Sequence, residues 1–334
     1  MSAVPSSQKR VGCAGILVED TFCGPMAKMP PEGLLVSVAS MPVKVGGCAA
    51  NVAIDLRKQG LEVDIAGCVG NDAAGTGLLT SFESHGIGGE QMHRTSEEGT
   101  SRTVILLIEG EDRRYIHHFG ANADFQVSDL KQEWVAQLDL FYLGGLFALP
   151  KISIPELTKL FVFCREKGVK TVLDVVIPSG MQVPPLSELE PLLRVTDYFL
   201  PNDDEASVLT GRDTVEDQMA AFLGLGAGTV IITQGEKGAV LGSGDDLWIC
   251  GSYRLDSVDP SGAGDAFTSG VIASILAERD VPELLRYASA IGASATRAVG
   301  TTDGVIGADE AESFVANNPL GIKHQSLRSL AGKP

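Results

Sequence analysis

Apolar runs alternate with amphipathic stretches along this chain, and no other feature restricts its fold as much. VGCAGIL at 11–17 and LEVDIAGCVG at 61–70 read as buried strands, separated by a helix that ends at Gly60. A helical stretch closes over 79–85, LDLFYLGG at 138–145 is again a strand, 155–167 a helix, and VKTVLDVV at 169–176 a strand. TDYFLPN at 196–202, a helix through Leu209 and TVIITQG at 229–235 continue the series. Continuous apolar strands alternating with helices predict an α/β fold with a mostly parallel sheet covered on both faces. Ligands of such sheets bind beyond the carboxyl ends of the strands.

Two segments break the rhythm. One is 34–45; the other is the pair TSRTVILLIEG and RRYIHHFGA, an antiparallel hairpin about a turn at 110–112. Together they read either as a small β-strand lid over the mouth of the sheet or as an edge hairpin without a role. The expected organisation is one domain over 1–318, with lid segments near 18–45 and 98–122. Residues 319–334, with Lys323, His324, Arg328 and Lys333, read as a loosely held tail.

Composition limits the partners. A chain of 334 residues, 44% hydrophobic, can bury a large core. Its formal charge of −17 and pI near 4.7 set a long-range field against nucleic acid and anionic membranes, so any phosphate must be held locally. Cysteines 13, 23, 48, 68, 164 and 250 form no Cys-x-x-Cys pair and have no histidine at zinc-ligand spacing, which predicts free thiols in a reducing cytoplasm. The apolar run after Lys9 and Arg10 stops at Glu19 and Asp20, so no signal peptide is expected, and no stretch of roughly 18 apolar residues predicts a membrane span.

Four motifs carry the chemistry. In VDPSGAGDAF at 258–267 the chain bends at Pro260, Ser261 and Gly262 and enters a helix, placing Asp265 in its first turn. Unpartnered N–H groups and the positive helix end make Gly262, Ala263 and Gly264 a cradle for an anion, although Ser261 or Asp265 serving only as a cap is the simpler reading. In KVGGCAANVAIDLRKQG at 44–60, Gly46 and Gly47 allow close backbone approach to a ligand and Asn51 offers a donor and an acceptor, as a polyhydroxylated substrate requires. A tight loop before a packed helix is the alternative. PNDDEA places Asn202 and Glu205 one helical turn apart, able to reach a hydrated metal; TQGEKG sets Thr233, Gly235 and Gly238 after a strand, where Thr233 can donate to a phosphate. Taken singly, each is equally a cap or a turn.

In this order and spacing, each at the end of a strand, the motifs resemble the ribokinase (PfkB-type) carbohydrate kinase family from about Val11 to Val315. The resemblance implies a ribokinase-like three-layer sandwich, ATP as phosphoryl donor and Mg²⁺. It implies Asp265 as the base toward the substrate hydroxyl, with the Gly262, Ala263 and Gly264 amides as anion hole. It implies Asn202 and Glu205 about the Mg²⁺ and its waters, Thr233, Gly235 and Gly238 along the nucleotide, and Asp20, Gly46, Gly47 and Asn51 on the sugar. VGCAGILVEDT reaches its acid later than the family's usual spacing, which leaves Glu19 as an alternative to Asp20. Asp259 stands where some members bind a monovalent cation such as K⁺, while AVGTTDGV at 298–305 departs from the loop that completes their site. Many relatives pair through the lid, so a homodimer is expected.

The acceptor stays open at this level. Cys48 stands where some ribokinases carry lysine, and Arg102, Arg113 and Arg114 are available to a sugar phosphate without a fixed direction. A neutral sugar, a sugar acid, a sugar phosphate and a nucleoside all remain, as does a non-catalytic nucleotide or sugar sensor. The chain lacks G-x-G-x-x-G directly after its first strand and lacks G-x-x-x-x-G-K-[ST], which sets aside dinucleotide-dependent and P-loop enzymes.

Overall fold

The computed structural model describes residues 9–327. Its strands begin with β1 (Arg10–Gly15), β2 (Val18–Met26), β3 (Val43–Gly46), β4 (Glu62–Gly70) and β5 (Gly88–Thr95). They continue with β6 (Arg102–Ile108), β7 (Arg114–His118), β8 (Leu140–Leu146), β9 (Lys170–Val175) and β10 (Tyr198–Phe199). The last are β11 (Thr229–Thr233), β12 (Ala239–Ser243), β13 (Asp246–Cys250) and β14 (Ile322–Ser326). The helices are α1 (Cys48–Lys58), α2 (Ala73–Ser84), α3 (Gln132–Val135), α4 (Ile154–Lys167) and α5 (Leu186–Leu193), then α6 (Asp203–Thr210), α7 (Val215–Gly224), α8 (Ala263–Leu276), α9 (Val281–Ala295) and α10 (Ala308–Asn317). Among the described residues no helix is long and apolar enough to cross a membrane.

One sheet runs β14-β13-β12-β11-β10-β9-β8-β1-β4-β5, parallel from β11 to β5 and antiparallel from β11 to β14. Alternate side chains of each strand point to opposite faces, and the two cores sort accordingly. Ala14, Phe141, Leu143, Leu173, Val230 and Ile232 pack with α4, α5, α6 and α7. Their neighbours Cys13, Leu140, Tyr142, Val172 and Ile231 pack with α1, α2, α8 and α9. These are the three layers expected. Every residue of β8 is buried, which is why it reads as an unbroken apolar run. The helix ends follow local chemistry: Ser153 accepts a bond from the Glu156 N–H at the start of α4, Pro155 occupies its first turn, and Gly168 closes it in the left-handed conformation.

The second sheet, β3-β2-β6-β7, is the lid. Its hairpin β6–β7 is antiparallel as predicted, but β2 and β6 run parallel. Three expectations are corrected. Of 34–45 only Val43, Lys44 and Val45 enter a lid strand, and the strand over 196–202 contracts to Tyr198–Phe199, because Pro201 brings no N–H to a ladder and Asn202 already caps α6. The loose tail is corrected as well: Ile322–Ser326 pairs antiparallel with β13, and His324 stacks on Trp248 and meets Asp246 at 2.8 Å. Arg328 and Lys333 lie outside the described residues.

Candidate active site

A cavity of about 750 Å³ opens past the carboxyl ends of β1, β8, β9 and β11 and beneath the lid. At its floor α8 begins. Gly262 caps that helix at φ 78°, a left-handed conformation natural to glycine, and a Cβ there would overlap the Thr301 carbonyl. No side chain caps α8, and among the described residues the first-turn N–H groups of Gly264 and Asp265 meet no acceptor. These donors face the cavity together with the positive helix end.

Asp265 sits beside them. Asn51 Nδ2 donates to its Oδ2 at 2.7 Å, while Thr301 Oγ1 donates to Asn51 Oδ1 at 2.8 Å, so both ends of the amide are committed and its orientation is fixed. Burial pushes the Asp265 carboxyl above the ordinary range, and the side chains of Asn51 and Cys48 oppose the shift by stabilising the anion. A carboxylate with raised basicity, aimed into a cavity and flanked by free amides, can take a proton from a bound hydroxyl.

Asp174 completes this acidic floor and was missed in the sequence, where it hides inside the apolar run of β9. It accepts a bond from the buried Tyr142 hydroxyl at 3.1 Å, and its carboxyl is raised by burial and by Glu205 and Asp265. Cys48, Asp174 and Asp265 bring one ligand atom each within 4.8 Å of one another. The one signal available was an acid at the carboxyl end of a predicted parallel strand.

Strand alternation separates Asp20 from Glu19. Asp20 turns into the cavity, 5% exposed, and its carboxyl is pushed up to about 7 by burial and by Asp265, with the Thr103 side chain opposing. Glu19 turns the other way, pairs with Arg102 at 3.2 Å and borders a separate hollow with Lys44, Lys58 and Asp303. Gly46 is required by Asp20, since a Cβ there would fall within its carboxylate; Gly47 itself lines the cavity. The three lid arginines also separate. Arg113 enters the cavity, Arg102 stays with Glu19, and Arg114 pairs with Glu111.

On the opposite wall Asn202 and Glu205 form a reciprocal capping box: Glu205 N–H donates to Asn202 Oδ1 at 2.8 Å and Asn202 N–H to Glu205 Oε2 at 2.9 Å. Capping does not withdraw them, for both line the cavity. Burial pushes Glu205 up to about 7, the Asn202 N–H opposing and Asp265 and Asp204 adding to the rise. Thr233 lines the cavity next to Asn202, whereas Gly235 and Gly238 lie on the turn leading away from it and outside its wall. Asp259 is buried behind the floor. Its Oδ1 accepts from the Ser261 N–H at 3.0 Å and hydroxyl at 2.7 Å, and its Oδ2 from the Gly300 N–H at 3.2 Å, which ties the 298–305 loop to the α8 entry.

Known proteins resemble this chain in sequence and in fold. The model of the pfkB family of carbohydrate kinases matches residues 13–307. A ribokinase of Haemophilus influenzae is 26% identical over 280 residues, covering 82% of this chain and 88% of the relative. An ATP-dependent 6-phosphofructokinase of Thermoanaerobacterium thermosaccharolyticum is also 26% identical, over 76% of this chain and 80% of the relative. Among solved structures, Arabidopsis thaliana ribokinase complexed with ribose and ATP superposes with a TM-score of 0.78 at 23% identity, covering 93% of this chain and 99% of that one. A candidate ribokinase II from Escherichia coli, solved with ATP and Mg²⁺, gives 0.77 at 21% identity, covering 93% and 100%.

Proposed function

Since the chain belongs to the pfkB family of carbohydrate kinases and is an ATP-dependent phosphotransferase, we propose that it transfers the γ-phosphoryl group of ATP to a hydroxyl of a small, uncharged carbohydrate. The observation that carries this reading is the Asn51–Asp265 pair at the uncapped start of α8, on the floor of the cavity. Asp265 accepts the proton of the acceptor hydroxyl as the new O–P bond forms and the bond from the γ-phosphorus to the β,γ-bridging oxygen breaks, releasing ADP. Of the Gly262, Ala263 and Gly264 amides expected as the anion hole, that of Ala263 donates to the Pro260 carbonyl at 3.3 Å, so the unpartnered Gly264 and Asp265 amides beside Gly262 receive the charge spread over the phosphoryl oxygens, which is where such reactions gain most from a preorganised site. Asp20, Gly46, Gly47 and Asn51 hold the acceptor; Thr233 and the turn with Gly235 and Gly238 hold the nucleotide.

Glu205, Asn202 and Asp174 suit Mg²⁺, being hard oxygen donors on a wall whose acidity nothing nearby offsets fully. When bound, the ion neutralises phosphate charge. Asp259 is the candidate for K⁺, and comparing turnover in potassium and tetramethylammonium buffers decides it: equal rates remove the proposal. The acceptor class follows from charge. Asp20, Asp174, Glu205 and Asp265 line the cavity with Arg113 as its one permanent cation among the described residues, which leaves no second cation to hold an anionic acceptor. Exposed Val43 and Ile116 on the lid strands, with Leu35 and Met41 on the segment leading into β3, support pairing of two chains through the lid, and the free cysteines support a reducing, cytoplasmic setting, which fractionation to another compartment would overturn.

The test is ADP release from ATP and Mg²⁺ with ribose, fructose, 2-keto-3-deoxygluconate, fructose 6-phosphate and adenosine. Asp265→Asn should keep nucleotide binding and lose about 10²- to 10⁴-fold in kcat, the usual contribution of a general base. Near-normal kcat in that variant sinks the assignment. ATP binding without turnover of any acceptor favours a sensor.

A further inference from the structure

Resting on the kinase reading, we propose that Arg113 is a lid-borne catalytic residue that meets the transferred phosphoryl group and completes the anion hole from the side opposite the α8 amides. Arg113 is the one permanently cationic side chain among the described residues lining the cavity. Its Nη1 donates to Ser261 Oγ at 3.3 Å, and Ser261 directly precedes the Gly262–Gly264 cradle. Its side chain is 21% exposed, whereas those of Arg102 and Arg114 are 55% and 53% exposed and bound to acids outside the cavity.

Register shows which end of the cavity Arg113 serves. Asp20 pairs with Thr103 across β2–β6, and Thr103 pairs with His117 across β6–β7, so Asp20, Thr103 and His117 form one row over the acceptor end. Tyr115 lies one row further along, opposite Ile105. Arg113 comes next, four residues from His117, or about 13 Å along an extended chain. The guanidinium therefore stands away from the Asp20 row and over the start of α8, where the lid reaches the catalytic loop. Its neighbours agree. The guanidinium carbon lies over the Tyr115 ring at 5.9 Å from its centroid, and Asp112 pairs with Arg113 Nε at 3.2 Å, leaving Nη1 directed at Ser261.

The chemistry fits a guanidinium. Its planar array of donors matches equatorial phosphoryl oxygens, and a cation supplied to that group is worth more as charge develops in transfer than in the ground state. The Ser261 hydroxyl, already donating to Asp259 Oδ1, presents its lone pairs to Arg113 and parks the guanidinium beside the cradle before the phosphoryl arrives.

The test is binding of ADP·Mg²⁺ alone and with aluminium fluoride, which imitates the transferring phosphoryl, by calorimetry on the full chain. We expect Arg113→Ala to bind ADP·Mg²⁺ within 2-fold of wild type and to lose about 10³-fold or more of the fluoroaluminate-dependent gain, the scale on which an arginine supplied to a transferring phosphoryl acts. Arg113→Lys should recover part of the gain, and millimolar methylguanidinium should restore part of it to the alanine variant. An unchanged gain in Arg113→Ala overturns the proposal, as does a wild type without any gain. Raised KM for fructose 6-phosphate with unaltered kcat also overturns it, since Arg113 would then read an acceptor anion. Wild-type protein that binds no ATP·Mg²⁺ removes the kinase reading itself, a result distinct from normal ATP binding with an unchanged fluoroaluminate gain.

Discussion

Gly264→Ala separates the work of the anion cradle from its architecture. A Cβ built on Gly264 has no heavy atom within 4 Å, and the residue lies in the first turn of α8 with an ordinary helical backbone. Alanine is therefore free to stabilise the helix, by about 0.5–1 kcal/mol relative to glycine, which should raise Tm by about 1–3 °C. The new methyl occupies space beside an unpartnered amide of the cavity, so a phosphoryl group held there must shift. Displacement by about 1 Å costs about 10²-fold in rate, and loss of one anion-hole donor about 10²- to 10³-fold. The expected variant is thus more stable and about 10²- to 10³-fold slower. Gly262→Ala should behave oppositely in stability: left-handed backbone at φ 78° costs about 1–2 kcal/mol for alanine and overlap with the Thr301 carbonyl about 1–3 more. Thermal unfolding and kcat measured on both variants test the reasoning. Full turnover in a stabilised Gly264→Ala would refute it, because the transferred group would then occupy some other place.

How much of this was legible in the sequence depends on what each element buries. Strands β8 and β9 are covered on both faces and show as apolar runs, so the parallel sheet and the position of its mouth follow directly. Strand β2 alternates buried and half-buried positions through Glu19, Asp20 and Thr21 and carries Gly24 and Pro25, so its pattern is that of a loop. Strand β14, IKHQS, is polar because an edge strand needs a backbone partner more than an apolar face. Among site residues, Asp265, Asn51 and Glu205 were legible because glycines and caps mark helix starts. The choice of Asp20 over Glu19 needed the phase of a strand that the sequence does not display. Selection of Arg113 among three arginines likewise needed the hairpin register, and Asp174 needed the knowledge that its strand ends at the cavity.

Two predictions remain. If chains pair through the lid, wild-type protein should sediment as a dimer and Ile116→Lys, which places charge on the exposed lid face, as a folded monomer with a Tm that no longer rises with protein concentration; a monomeric wild type removes the proposal. The acidic cavity should also make stability depend on pH. Burial pushes Asp20 and Glu205 to about 7, so the folded chain holds protons that the unfolded chain releases near pH 4. Folding then takes up protons between about pH 4 and 7. This contribution is complete below pH 4, lost as pH rises through 7, and flat beyond. The nucleotide-free double variant Asp20→Asn, Glu205→Gln keeps the shape of both side chains and the cap of α6 but cannot ionise. Its Tm should therefore gain on that of wild type between about pH 4 and 7 and keep a constant lead above that. Parallel curves would mean that the two carboxyls share their charge with partners in the folded chain, and that the cavity is less acidic in effect than its lining implies.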